Sequence, residues 1–473
     1  MRLPVARALA PQRKKEIKKE EPRVGMPEET DEAPNQSLAL EKAPPKDKRK
    51  KRRPVALAFA RKVRLGEAPE RGRPSPPDDN EIPSLPALER SRSALGVYLH
   101  WPFCVAKCPY CDFASTAAAC ENETALLGAY IEELRHYAAL TPDRRVGSIY
   151  FGGGTPSLMR PDTVAALIDA VRDLWPMDDK PEITLESNPV TAEIDKFEGF
   201  RAAGVNRLSV GVQSFSDERL RFLGRVHDAE QAARALHMAR AVFPRFSFDL
   251  MTGFADQDPT AWEHELTQAL SFGARHMSVY QLTIEPHTAF HLRQLRGERL
   301  AAEESLALEI DGLTRAKLKA AGLESYEVSN YAALGEESRH NLVYWTYGDY
   351  IGIGPAAHGR LCLGDERLAL ENQSSVKSWA DQIAARGHGR AKKEPLSRET
   401  AAREALLMGL RLTQGVSSTL FAQRIGRSIE TFLLPERWAK LAEEGLVETV
   451  GDTWRTTEAG RARLNSLLTY CLK

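Results

Sequence analysis

The chain has 473 residues, enough for two or three domains at roughly 100 to 200 residues each. Its 42% hydrophobic and 27% charged content is that of an ordinary globular protein, and a formal net charge of zero argues against a global affinity for nucleic acid or acidic lipid. No run of about 18 apolar residues and no apolar signal-peptide core occurs, so a membrane-spanning or secreted reading is disfavoured and the cytoplasm is the expected address.

Residues 1–92 are rich in Lys, Arg, Glu and Pro, carry the basic run from Lys48 to Arg53, and show no apolar periodicity. A disordered, charged tail is expected there. Its acidic residues make it a poor transit peptide, and the basic run reads as a solvated stretch or as a contact for RNA or an anionic surface. From Leu95 onward short apolar runs alternate with longer amphipathic stretches. Strands are expected at Val97 to His100, Ser148 to Phe151, Ile183 to Glu186, Arg207 to Val212, Phe246 to Met251 and Met277 to Leu282. Helices are expected at Leu126 to Leu140, Val164 to Leu174, Ala192 to Ala203, Ala229 to Val242 and Ala261 to Phe272. Such alternation gives parallel βαβ units with right-handed crossovers, in an open barrel or a doubly wound sheet. The α/β core spans residues 93–330, and residues 331–396 read as a linking segment. After about residue 360 the texture turns helical. Residues 397–473, with three helices and a hairpin around Gly451-Asp452, read as a winged-helix-like α+β domain.

The residues with chemical potential follow the strands, where α/β barrels build their sites. Cys104, Cys108 and Cys111 fall on one loop with spacing Cys-x3-Cys-x2-Cys. Three soft thiolates suit an iron-sulfur cluster with one iron left open to a further ligand. A zinc site completed by a fourth ligand such as His100 is the alternative, although zinc motifs usually pair two Cys-x2-Cys units. Cys120, Cys362 and Cys471 are isolated and read as structural. Gly152-Gly153-Gly154-Thr155-Pro156 follows a strand. It lets backbone approach a ligand closely, and it lacks the Lys-Ser/Thr ending of a phosphate-binding P-loop. Glu186 is either a ribose-binding carboxylate or a solvated strand-end glutamate. Gln213, Arg225 and Asp249 offer an amide, a guanidinium and a carboxylate near strand ends.

The run Tyr98-Leu-His-Trp-Pro-Phe-Cys104-Val-Ala-Lys-Cys108-Pro-Tyr-Cys111 resembles the signature of the radical S-adenosylmethionine (SAM) proteins. That resemblance implies a partial (β/α)6 barrel, a 4Fe-4S cluster on the three cysteines, and SAM bound at the open iron. It also implies that Gly154, Thr155 and Pro156 hold the SAM methionine amine and that Glu186 meets the ribose. Gln213, Arg225 and Asp249 are similar to positions of a narrower branch, the oxygen-independent coproporphyrinogen III oxidases and their relatives, where the equivalent residues meet a second SAM, and Tyr98 and Tyr110 resemble its aromatic positions beside the cluster and the SAM. The likeness runs over about residues 95–470.

Within that branch the cysteine motif of the true oxidase continues to a further cysteine, where this chain has Phe113. The Cys111-Asp112-Phe113 ending resembles the branch's haem chaperones. So does His340-Asn341-Leu-Val-Tyr344-Trp345, in which an imidazole and aromatic rings suit a porphyrin. The alternative for that motif is a helix-capping His-Asn beside packed aromatics. The resemblance implies a chaperone that binds haem as cargo and hands it to haem-accepting proteins, membrane-associated acceptors among them, with an electron donor for the cluster. The competing expectation is radical decarboxylation of a porphyrinogen propionate. No nucleic-acid partner is expected, because the Glu430 to Glu444 helix carries more acidic than basic residues. The C-terminal domain is expected to cover the barrel mouth.

Overall fold

Six strands run in parallel and lie side by side in chain order: β1 Leu95–Trp101, β2 Val146–Gly153, β3 Met177–Ser187, β4 Arg207–Gln213, β5 Arg245–Thr252 and β6 His276–Gln281. The computed structural model describes residues 94–472, and the tail expected over residues 1–92 lies outside them. A doubly wound sheet would reverse its strand order at a switch point. No reversal occurs among the six, so the fold is a partial (β/α)6 barrel. Helices α1 Glu123–Leu140, α2 Pro161–Leu174, α3 Ile194–Ala202, α4 Ala229–Val242, α5 Pro259–Ser271 and α6 Glu304–Ala320 each follow the strand of the same number.

The strands alternate in character, and that alternation separates wall from lumen. Ile149, Phe151, Ile183, Leu185, Leu208, Val210, Phe248 and Leu250 are at most 1% exposed, and they pack with the apolar stripes of the helices, such as Val164, Leu167, Ile168 and Val171 of α2. Each such side chain contributes roughly 1.5–3 kcal/mol by leaving water. The residues that alternate with them, including Thr184, Ser209, Ser247 and Ser278, point the other way and make the lumen polar.

Residues 331–396 differ from the linking segment expected of them. Helix α7 Arg339–Trp345 tucks beneath the start of the barrel, with His340 against Gly96 of β1 and Ser148 of β2. Strand β7 Tyr350–Ile353 then joins β1 in parallel, and β8 His358–Leu363, β9 Glu366–Asn372 and β10 Arg390–Pro395 continue the same sheet antiparallel, with α8 Val376–Arg386 between the last two. The signal was weak because β8, β9 and β10 are partly or largely exposed and mix charged with apolar side chains, and β7, though buried, is only four residues long. One buried carboxylate clasps this extension to the barrel. Glu133 of α1 is fully buried and accepts from Gly354 N (2.9 Å), Gly389 N (2.8 Å), Asn372 Nδ2 (3.1 Å) and Trp379 Nε1 (2.9 Å).

The C-terminal residues build a winged-helix-like unit. It comprises α9 Arg398–Gly409, α10 Ser418–Ile425 and α11 Pro435–Glu443, with a three-stranded sheet of β11 Val416–Ser417, β12 Val447–Val450 and β13 Thr453–Thr456. Phe421, Ile429, Leu433, Trp438 and Leu468 give it a core of its own. It docks through Met408 and Leu412 onto Tyr326, Leu342 and Trp345. Two 2.9 Å hydrogen bonds between the Arg360 guanidinium and the buried Glu404 carboxylate fix the joint. The unit was expected to cover the barrel mouth. Among the described residues it contributes nothing to the lining of the lumen cavity, and it sits instead against α7. The apolar side chains of Met408 and Leu412 are buried in that contact.

Candidate functional site

The cysteine loop leaves β1 and is pinned to the barrel at several points. Thr116 N donates to Pro102 O (2.7 Å), and the imidazole of His100 spans Tyr98 OH (3.0 Å) and Ala114 O (2.9 Å). The glycine loop after β2 is hydrogen-bonded onto it, Gly154 N to Trp101 O (2.6 Å) and Thr155 N to Phe103 O (2.8 Å). A Cβ on Gly154 would lie 2.5 Å from the Phe103 carbonyl oxygen and 3.0 Å from Cys104 Sγ, so the two loops approach this closely only with glycine there. Gly154→Ala should therefore push the loops apart at a cost of ~1–3 kcal/mol and sharply lower iron uptake on reconstitution, read from the iron-to-protein ratio.

Cys104, Cys108 and Cys111 are unpaired, partly exposed, and border a cavity of ≈ 380 Å³ that runs through the lumen from the C-terminal ends of the strands down to Arg207 and His276. Among the described residues no three His, Cys, Asp or Glu side chains converge as a single metal ion would require. A cluster makes no such demand, since each thiolate binds a different iron. The zinc alternative also loses its fourth ligand, because both ring nitrogens of His100 are engaged. Burial pushes the Cys111 thiol up to about 11, so loading a metal must displace a proton there.

Gly154, Thr155, Pro156, Glu186, Gln213, Arg225, Asp249 and Tyr110 all border this cavity with the cysteines. Glu186 accepts from Tyr150 OH (2.7 Å) and Gly153 N (3.2 Å), which holds one edge of the carboxylate and leaves the group half buried; burial raises its pKa. Gln213 ends β4 at φ 73°, a left-handed conformation that a non-glycine residue rarely adopts. A register shift between Val210 and Gln213 accompanies it. Arg225 donates to Gly211 O (2.8 Å) and lies 3.5 Å from Cys108 Sγ. Asp249 is pushed up to about 7, by burial first and then by the Glu186 charge.

Tyr98 is not brought to the cavity. It is 7% exposed and its ring lies beside those of Tyr150 (6.2 Å) and His340 (6.3 Å). The haem-motif candidates are split. Asn341 borders the cavity, whereas His340, Tyr344 and Trp345 are buried under the barrel. His340 joins Ser148 Oγ (2.9 Å) and Tyr344 OH (2.6 Å), and its ring stacks on Tyr150 at 4.9 Å. Burial lowers its pKa to about 3, so it is a neutral imidazole with both nitrogens occupied. Tyr150, Ser209, Ser247, Ser278 and Tyr280 also border the cavity and were missed from sequence. Polar residues recurring at every second position of otherwise apolar strands were the available signal.

The residues fit the groups that the resemblance implies. Three soft cysteine sulfurs share the cavity rim, and two buried side-chain atoms of residues in the cavity wall, Thr184 Oγ1 and Arg225 Nε, have no hydrogen-bond partner in the protein.

Comparison with known proteins agrees. The radical SAM superfamily model matches residues 98–267, and the HemN C-terminal domain model matches residues 396–463. The heme chaperone HemW of Escherichia coli (strain K12) is 37% identical over 376 residues, covering 79% of this chain and 97% of that protein. The mitochondrial radical S-adenosyl methionine domain-containing protein 1 of Bos taurus is 38% identical over 413 residues, 86% of this chain and 92% of that protein. The solved coproporphyrinogen III oxidase (HemN) from Escherichia coli superposes with a TM-score of 0.68 at 24% identity, over 81% of this chain and 91% of that one, and shares the fold.

Proposed function

Because the chain belongs to the radical SAM superfamily, in the family that includes the heme chaperone HemW, we propose that it binds haem and passes it to acceptor proteins while carrying a SAM-liganded 4Fe-4S cluster. The observation that carries this reading is the likeness to HemW over nearly its whole length, joined to Phe113 in place of a further cysteine. Cys104, Cys108 and Cys111 would hold the cluster. Gly154, Thr155 and Pro156 would hold the SAM methionine group, and Glu186 would accept from the ribose. When bound, the cluster supplies one electron to the sulfonium of SAM.

The chain's own residues orient and shield. Arg225 keeps a positive charge beside Cys108 and can meet a carboxylate. Gln213, held in its strained conformation, and Asp249 present polar groups across the lumen from the cysteines. Tyr150 fixes the Glu186 carboxylate for a hydroxyl donor. Because Asp249 is a better acceptor ionised and its pKa is about 7, affinity for SAM should rise between pH 6 and 8. Isothermal titration should find that dependence flattened in Asp249→Asn.

His340 can ligate haem iron only by giving up its bond to Ser148 or Tyr344, so we assign His340, Tyr344 and Trp345 to building the barrel floor and Asn341 to the cavity wall. His340→Ala should lower the melting temperature and leave the Soret position of bound haem unchanged. A shifted Soret band in that variant would make His340 the ligand.

The deciding experiment is anaerobic titration of the reconstituted protein with hemin, followed by incubation with coproporphyrinogen III, SAM and a reductant. Saturable haem binding without turnover supports a chaperone. Formation of protoporphyrinogen would replace it with the oxidase reading, which the shared fold with HemN keeps in view. No helix among the described residues is long and apolar enough to cross a membrane. A cytoplasmic address is part of the proposal, and recovery of the chain in an organelle fraction, as the bovine relative's name suggests, would overturn it.

A further inference from the structure

A second cavity, of ≈ 240 Å³, opens at the opposite end of the barrel from the cysteines, where β4, β5 and β6 begin. It is strongly basic. Arg207 and Arg245 are the first residues of β4 and β5, Arg240 comes from the end of α4, and Arg275 precedes β6. Two carboxylates answer them. Glu182, fully buried, lies 3.4 Å from Arg207 and 3.2 Å from Arg245, and Glu336 lies 2.7 Å from Arg245 and 3.6 Å from Arg275. Four guanidinium charges against two carboxylates leave a surplus of two positive charges in one recess.

Hydrogen bonds within the protein satisfy only part of that surplus: Arg207 Nη1 donates to Glu336 O (3.0 Å) and Arg240 Nη1 to Phe272 O (3.4 Å). The Arg207 side chain is 3% exposed, and its Nη2 is buried without a partner. Arg245 Nη2 and His276 Nδ1 are buried and unpartnered as well. The imidazole is already committed on its other side, His276 Nε2 to Tyr326 OH at 3.0 Å. Burial, with Arg207 and Arg245 beside it, holds His276 far below its usual pKa. Arg207 and His276 stand between this recess and the lumen cavity and line both, and buried nitrogens left without partners are costly. Planar forks of this kind match the two oxygens of a carboxylate or phosphate.

We propose that this basal recess is a binding site for an oxyanion, a carboxylate or phosphate group, held by Arg207 and Arg245 from inside and by Arg240 and Arg275 at the rim. The recess is too small for a tetrapyrrole ring but large enough for one acidic arm. Phe243, Pro244 and Phe246 form an apolar border beside the arginines. The anion therefore has two sources, a free phosphate or carboxylate metabolite, or a haem propionate whose ring lies on that border. The second source rests on the haem reading above; the site itself does not.

The experiment uses the reconstituted full chain and the variants Arg275→Gln and Arg240→Gln, whose side chains lie at the exposed rim and can be changed without emptying the core. Inorganic phosphate should bind saturably to the wild type by isothermal titration and at least tenfold more weakly to the double variant, with the cluster absorbance and melting temperature retained. Hemin and its dimethyl ester, in which the propionates are capped, separate the sources. A loss of hemin affinity in the variant that is absent for the ester identifies a propionate, and equal hemin binding by both proteins identifies a free anion. Should the wild type bind no haem, the chaperone reading fails while the phosphate titration still decides this site. Absence of phosphate binding together with equal affinities for hemin and its ester, in wild type and variant alike, would overturn the proposal.

Discussion

Replacing Cys104, Cys108 and Cys111 together by alanine is expected to abolish iron uptake, while replacing Cys120, Cys362 and Cys471 together leaves it intact. The two sets differ in position. The first three share one loop at the rim of the lumen cavity, tied down by the hydrogen bonds between that loop and Gly154 and Thr155. The others are scattered. Cys471 is fully buried in the core of the C-terminal unit, and Cys362 Sγ, on β8, sits 3.3 Å from the guanidinium of Arg367 on β9. Anaerobic reconstitution with iron and sulfide, followed by visible absorbance and electron paramagnetic resonance, reads the outcome. SAM affinity should fall with the cluster in the first variant and hold in the second. Retention of the absorbance after loss of all three rim cysteines would remove the central assignment. Because thiolates must lose their protons to bind metal, and burial raises Cys111 to about 11, wild-type loading should also improve as the pH of reconstitution rises from 7 to 9.

Glu133→Ala is expected to be the most destabilising single substitution among the described residues away from the cysteine loop. It strips the acceptor from two backbone amides, an indole and a carboxamide that all lie buried where α1 meets the sheet extension. Each donor left without a partner costs ~1–3 kcal/mol, and the loss of several at once, on the order of 5 kcal/mol, is comparable with the whole stability of a typical domain. Urea unfolding should show a lower midpoint, and limited proteolysis should cut first within residues 354–395. Glu133→Gln keeps one acceptor oxygen and should fall between the two. Burial lifts Glu133 from 4.5 to about 7, so the folded chain holds a proton that the unfolded chain releases. Its contribution is fully present below about pH 4.5 and is lost as the pH rises through 7. The stability of the wild type relative to Glu133→Gln should therefore decline over that interval, and a rising or flat difference would refute the linkage.

Local chemistry and periodicity were legible in the sequence because they depend on neighbours in the chain. The spacing of Cys104, Cys108 and Cys111 puts three thiolates on one loop whatever the fold does, and the six apolar runs from Val97 to Leu282 become the six barrel strands. The glycine loop and the strand-end residues Glu186, Gln213, Arg225 and Asp249 could be picked out because barrel sites lie after strands. The choice between a barrel and a doubly wound sheet needed the strand order, which is set by how helices pack across the sheet rather than by any one segment. The strands from residue 358 to 395 were hidden because a half-exposed edge needs only a few apolar residues. Tyr98 and His340 look like site residues in the chain, yet stacking on Tyr150 draws both into the barrel interior. The fourfold acceptor role of Glu133 and the basic recess of Arg207, Arg240, Arg245 and Arg275 join residues up to about 250 positions apart. Only the tertiary structure decides such contacts, because long-range packing sets which charges are buried together and which donors are left waiting for a partner.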